Sequence, residues 1–168
     1  MRAATGANCD DATYAAACDS AKGYATSDQS YVARHFRGNA SNHREGVQTD
    51  DLRAALQLQW VAFFEQHDLL ICPTATSPAF VHDEQGERWG RMIPVNGHPQ
   101  LVTDGLFWAG YPSIVGLPAT AVPLGLSPGG LPVGAQIIGP AFADPDCLRF
   151  AQWLEREYRA FEAPPALA

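Results

Sequence analysis

Residues 111–140 read YPSIVGLPATAVPLGLSPGGLPVGAQIIGP, and two apolar runs in them, residues 119–124 and Pro132–Ile138, flank Ser127-Pro128-Gly129-Gly130. Pro and the Gly pair stop a helix and favour a tight reversal, so the runs are expected to lie side by side as strands. Gly125, Gly134 and Gly139 then serve as turns or as points of close backbone approach. Gln136 is a polar amide inside an apolar strand. If buried it needs hydrogen-bond partners, which suggests a tether between sheet and loop more than a substrate contact.

A second pair of elements precedes this section. Thr49 or Asp50 can cap a helix whose apolar positions Leu52, Ala55, Leu56, Trp60, Phe63 and Phe64 recur at spacings of three and four, ending near His67. Residues 68–72 follow as a short apolar run stopped by Pro73, the pattern of a buried strand. Helix and strand in close succession imply layered α/β packing. Residues 73–98 are punctuated by Pro and Gly and form a long surface excursion, with a hairpin expected around residues 91–95. Residues 105–109 suit a short helix that Gly110, Tyr111 and Pro112 end. Asp144 is expected to cap a last helix with Leu148, Ala151, Trp153, Leu154 and Tyr158 on its apolar face.

The opening is less defined. Residues 1–30 are rich in Ala, Asp, Thr and Ser without an amphipathic stripe, and read as a helix-prone remnant or a frayed tail, treated as a weakly ordered segment ahead of residues 31–168. Residues 31–44 suggest a broken helix or a loop.

Several function classes are disfavoured. With 11 Lys and Arg against 18 Asp and Glu, and Lys22 the only lysine, the chain lacks the basic cluster that neutralises phosphates, so no nucleic-acid partner is expected. No apolar run nears the roughly 20 residues that span a bilayer, and the N-terminus lacks a secretory apolar core, so no membrane association and a cytoplasmic location are expected. Cys9, Cys18, Cys72 and Cys147 are widely separated, and the five histidines show no paired-ligand spacing. Neither a metal site nor a cofactor is indicated, and the cysteines read as inert thiols.

Three stretches in order, Asp68-Leu-Leu-Ile-Cys-Pro73-Thr74, then Gly116-Leu-Pro118-Ala119 with Val122-Pro123-Leu-Gly125, then Gly130-Leu-Pro-Val-Gly134-Ala-Gln136-Ile-Ile-Gly139, resemble the C-terminal region of amidase-signature enzymes. The resemblance runs from about residue 41 to about residue 158. It implies an α/β fold with a mixed sheet flanked by helices, of which this chain holds the C-terminal part without the N-terminal catalytic part. It also implies hydrolysis of a carboxamide C–N bond by a nucleophilic serine, a bridging serine and a lysine, all lying upstream of the matched region. No Gly/Ser-rich segment occurs here, and Ser20, Ser27, Ser30, Ser41, Ser77, Ser113 and Ser127 are isolated. A serine hydroxyl needs a positioned base and an oxyanion site to attack an amide, so no catalytic residue is assigned.

The same resemblance points to Thr74, Phe107, Trp108 and Tyr111 as candidate walls of the substrate pocket. Each aromatic can equally serve as core packing. Family members often carry Asn just before the Gly-x-Pro-Ala step, where this chain has Ser113-Ile-Val. The implied partners are a small-molecule amide, and either a complementing N-terminal amidase chain or a second copy. A non-catalytic small-molecule-binding or interaction module is the alternative.

Overall fold

The computed structural model describes residues 9–160 and residue 162. The chain divides into two compact units between Leu56 and Gln57.

The first unit is helical. Helix α1 spans Asp11–Lys22 and α2 spans Tyr31–Asn39. Each begins where a side chain satisfies a free backbone N–H: Asp10 accepts from Thr13 N at 2.7 Å, and Ser30 from Ala33 N at 3.3 Å. Arg37 closes the link between them, donating to the carbonyls of Ala33, Thr26 and Asp28. Tyr24 stacks on Phe36 with ring centroids 6.0 Å apart.

Helix α3, His43–Phe64, starts earlier than the Thr49 or Asp50 cap expected from the sequence. The reason is a reciprocal cap upstream. Asn42 Oδ1 accepts from Glu45 N while Glu45 Oε2 accepts from Asn42 N, both at 3.0 Å. Thr49 instead donates its hydroxyl to Glu45 O, one turn back inside the helix, and Asp50 pairs with Arg53. Residues 31–44 are thus a helix broken at Ala40, the first of the two readings the sequence left open.

The second unit holds a three-stranded sheet of order β1-β5-β4, with β1 Leu70–Pro73, β4 Ala119–Leu126 and β5 Pro132–Ile138, every pair antiparallel. The expected neighbour strands are β4 and β5, joined by a turn in which Gly130 N donates to Ser127 O at 2.9 Å. Between β1 and β4 lies a separate hairpin, β2 Met92–Val95 and β3 His98–Leu101. Its turn residues Asn96 and Gly97 both have positive φ, 52° and 80°, the geometry that matches the twist of paired strands.

Helix α4, Leu106–Ser113, does not stop at residues 110–112 as the sequence suggested, and Pro112 lies inside it. Helix α5, Asp144–Glu157, follows β5. Asp144 is its first residue and not its cap, which falls on Ala143 without a side-chain hydrogen bond. Asp144 and Asp146 act instead as first-turn charges beside Pro145, where they complement the helix dipole.

The core lies between this sheet and α5. Val122, Ala135, Ile137 and Cys147 are buried together, and Leu69, Leu124, Phe150, Ala151 and Leu154 pack against them. The inward face of α5 is therefore Cys147, Phe150, Ala151 and Leu154, spaced three, one and three residues apart. Of the expected face only Ala151 and Leu154 point inward, whereas Leu148, Trp153 and Tyr158 are exposed. Two glycines permit this packing. A Cβ on Gly134 would sit 2.8 Å from Val122 O, and one on Gly139 2.7 Å from Cys147 Sγ.

Candidate functional site

Strand β5 is buried along residues 135–138, and Gln136, 7% exposed, is the polar side chain within that stretch. Its Nε2 has two hydrogens and uses both, donating to Pro73 O at 3.0 Å and to Trp108 O at 2.9 Å. Pro73 closes β1 and Trp108 lies in α4, so one amide ties three elements together.

The Trp108 contact has a local cause. In an α-helix the carbonyl of residue 108 accepts from the N–H of residue 112, and residue 112 is proline, which has none. The carbonyl is left open, and Gln136 fills it. Helix α4 can therefore run through Pro112 without a buried polar group going unpaired.

The four candidate pocket residues sit around this tether. Thr74 directly follows Pro73, and its hydroxyl lies 3.5 Å from Gly134 O on β5. Phe107, Trp108 and Tyr111 share α4. Phe107 contacts Trp108 with centroids 5.2 Å apart and Tyr111 at 5.1 Å. Tyr111 in turn meets the buried Trp60 of α3 edge-on at 5.2 Å, and Trp60 packs on Phe63 and Phe64. Phe107 is 57% exposed while Trp108 and Tyr111 are half-buried, so the aromatic row has one end in the core and one in solvent. Gln57 Nε2 donates to Val115 O at 3.0 Å and anchors the chain just past α4. The sequence could not disclose that contact, because its partners are 58 residues apart.

Cys72 lies opposite Gln136 in the β1–β5 register. Burial pushes its thiol pKa up, and a hydrogen bond with Gln136 works the other way. Beside the hairpin lies a hollow of about 330 Å³ lined by Phe80, Val81, Arg88, Met92, Thr103 and Leu106, among others, and by none of the four candidates. The Thr103 hydroxyl beneath it is buried and unpartnered. Arg91, on the same rim, is committed to the carbonyls of Glu84, Gln85 and Gly86.

Lys22 is on the solvent side of α1. Its ammonium lies 2.7 Å from Asp19, with both side chains about three-quarters exposed. The hydrogen bond and charge of Asp19 raise its pKa above the ordinary lysine value, away from what a base at neutral pH requires. Among the described residues there is no group of three potential metal ligands, and no helix long and apolar enough to cross a membrane.

The Amidase family model matches residues 12–148. The A chain of the mitochondrial glutamyl-tRNA(Gln) amidotransferase of Mus musculus is 32% identical over 112 residues, covering 66% of this chain and 20% of that protein. Its counterpart in Myxococcus xanthus (strain DK1622) is 30% identical over 115 residues, covering 68% and 22%. Among solved structures, a bacterial aryl acylamidase of the amidase-signature family superposes with a TM-score of 0.55 at 22% identity, covering 91% of this chain and 34% of its own. Another amidase gives 0.55 at 23%, covering 80% and 29%. These two likenesses are of fold. The chain spans about a fifth of the length of the curated relatives it matches. With the family's strand and turn segments in place and the match running over most of the sequence, the chain belongs to the amidase family.

Proposed function

We propose that this chain is the C-terminal part of an amidase-family hydrolase, which scaffolds and walls the site of amide C–N cleavage and carries no nucleophile of its own. The observation that carries this reading is the Gln136 tether, which fixes the Thr74 end of β1 against α4, the helix bearing Phe107, Trp108 and Tyr111. A wall held by buried hydrogen bonds is what a substrate pocket needs from its scaffold. The nucleophile would come from the portion of the family's length that this sequence does not include, either as a complementing chain or as more of the same polypeptide.

On this reading the chain alone is inactive, its substrate is a small carboxamide, and it works in the cytoplasm with neither nucleic acid nor membrane as partner. The isolated chain, incubated with an aryl amide and with simple aliphatic amides, should release amine or ammonia at the buffer rate. Turnover above that rate would overturn the proposal. The alternative is a non-catalytic small-molecule-binding module, favoured by the hollow beside the hairpin with the unpartnered Thr103 hydroxyl at its base. Saturable binding of an amide that Thr103→Val abolishes, while Phe107→Ala and Tyr111→Ala do not, would support that reading instead.

A further inference from the structure

The three-stranded sheet has two outer strands, and they differ in kind. On β4, Pro123 offers no N–H to a new neighbour, and a register shift between Pro123 and Gly125 breaks the regular ladder. Proline and bulges are the usual means by which an edge strand is closed to further pairing. Strand β1 carries neither over residues 70–72. Leu69, Leu70, Ile71 and Cys72 run without a charge, a glycine or a bulge, the pattern of a strand flanked by others and covered on both faces.

The surface beside β1 agrees. Opposed residues of an antiparallel pair share a face, so Ile71 lies on the same side of the sheet as its partner Ile137. Ile137 is fully buried by α5, which packs over β4 and β5, while Ile71 stays 50% exposed. On α5, Trp153 stacks on Phe150 at 5.5 Å and is itself 47% exposed. An interior-type strand with an apolar side chain uncovered is an interface without its partner.

We infer that the outer edge of β1 is a docking seam, and that its occupant is an extended apolar segment from the remaining part of an amidase fold, adding as a strand beside residues 70–72. The inference rests on the amidase reading above. The length of the solved relatives argues for this occupant, since this chain accounts for 29% and 34% of two of them. Main-chain pairing would supply attachment and Ile71 would supply the apolar contact.

The test titrates the 168-residue chain with the separately expressed N-terminal portion of an amidase-family relative, truncated before the matched region. Complex formation is followed by gel filtration, and amide exchange of the peptide over residues 69–73 by mass spectrometry. The seam predicts slowed exchange there on binding, affinity lowered about ten-fold or more by Ile71→Lys, and a change under about two-fold for Thr120→Lys on β4. Should Ile71→Lys fail to fold, the exchange result on the unaltered chain decides.

A complex in which residues 69–73 exchange as fast as in the free chain overturns the seam and leaves the amidase reading intact. So does greater sensitivity to Thr120→Lys, or pairing of the chain with a second copy of itself through β1. Absence of any complex overturns the seam, whereas turnover by the isolated chain overturns the amidase reading beneath it.

Discussion

The side chain of Gln136 takes the place of a missing helical hydrogen bond at Trp108, whose carbonyl Pro112 cannot serve. A strand residue and a helix residue 28 positions apart are thereby coupled through the absence of one N–H. Gln136→Leu keeps the approximate volume and leaves the carbonyls of Trp108 and Pro73 without that donor, so it should destabilise the second unit by about 2–4 kcal/mol. Pro112→Ala restores an N–H to residue 108. In the double variant the loss should be smaller than the sum of the two single losses, as read from urea-unfolding midpoints in a double-mutant cycle. Strict additivity would contradict the coupling.

How much of this could be read beforehand depended on how local the cause was. Strands β4 and β5 follow from a turn written in four adjacent residues, and the hairpin's Asn96-Gly97 dipeptide is equally local. The tethering role of Gln136 was legible from a polar residue in an apolar run, but its partners were not, because Pro73 and Trp108 reach it only through the tertiary fold. Helix α4 was expected to end where Pro112 removes an N–H, and it continues because the lost bond is replaced from β5. On α5 the phase was misjudged because Cys147 and Phe150, not Leu148 and Trp153, meet the sheet. The four pocket candidates came from the family resemblance, and they gather around a tether that composition and spacing alone do not locate.

The start of α3 offers a direct comparison of two caps. Asn42→Ala removes the acceptor for Glu45 N and should cost about 1 kcal/mol, whereas Thr49→Ala, lying inside the helix, should cost less than about 0.5 kcal/mol. Helix content and thermal midpoints of the two variants check this order.

Gly134 leaves no room for a side chain against Val122 O. Gly134→Ala forces β4 and β5 apart at the centre of the sheet and should cost about 1–3 kcal/mol, measured by chemical denaturation. Gly110→Ala, where no atom lies within 4 Å of the added carbon, should not destabilise the chain.

Burial raises the pKa of Cys147, with Asp144 and Asp146 adding to the shift, and burial raises that of Cys72. In the unfolded chain both thiols release their protons near the ordinary value of 9.0, while in the folded chain they hold them to higher pH. Above that value the unfolded state binds fewer protons than the native one, so stability is full below pH 9.0 and falls as pH rises through the raised folded values. Denaturation midpoints on the two sides of pH 9.0 should show a fall that becomes smaller in the Cys72→Ala, Cys147→Ala double variant.

The most direct test of the central claim, that this part of an amidase holds the wall of the site and not its nucleophile, is labelling of the isolated chain with a serine-directed fluorophosphonate, read by intact-protein mass. The account predicts an unchanged mass after prolonged exposure. One stoichiometric adduct, mapped to a single serine and prevented by denaturation, would show an activated nucleophile within these residues and contradict it.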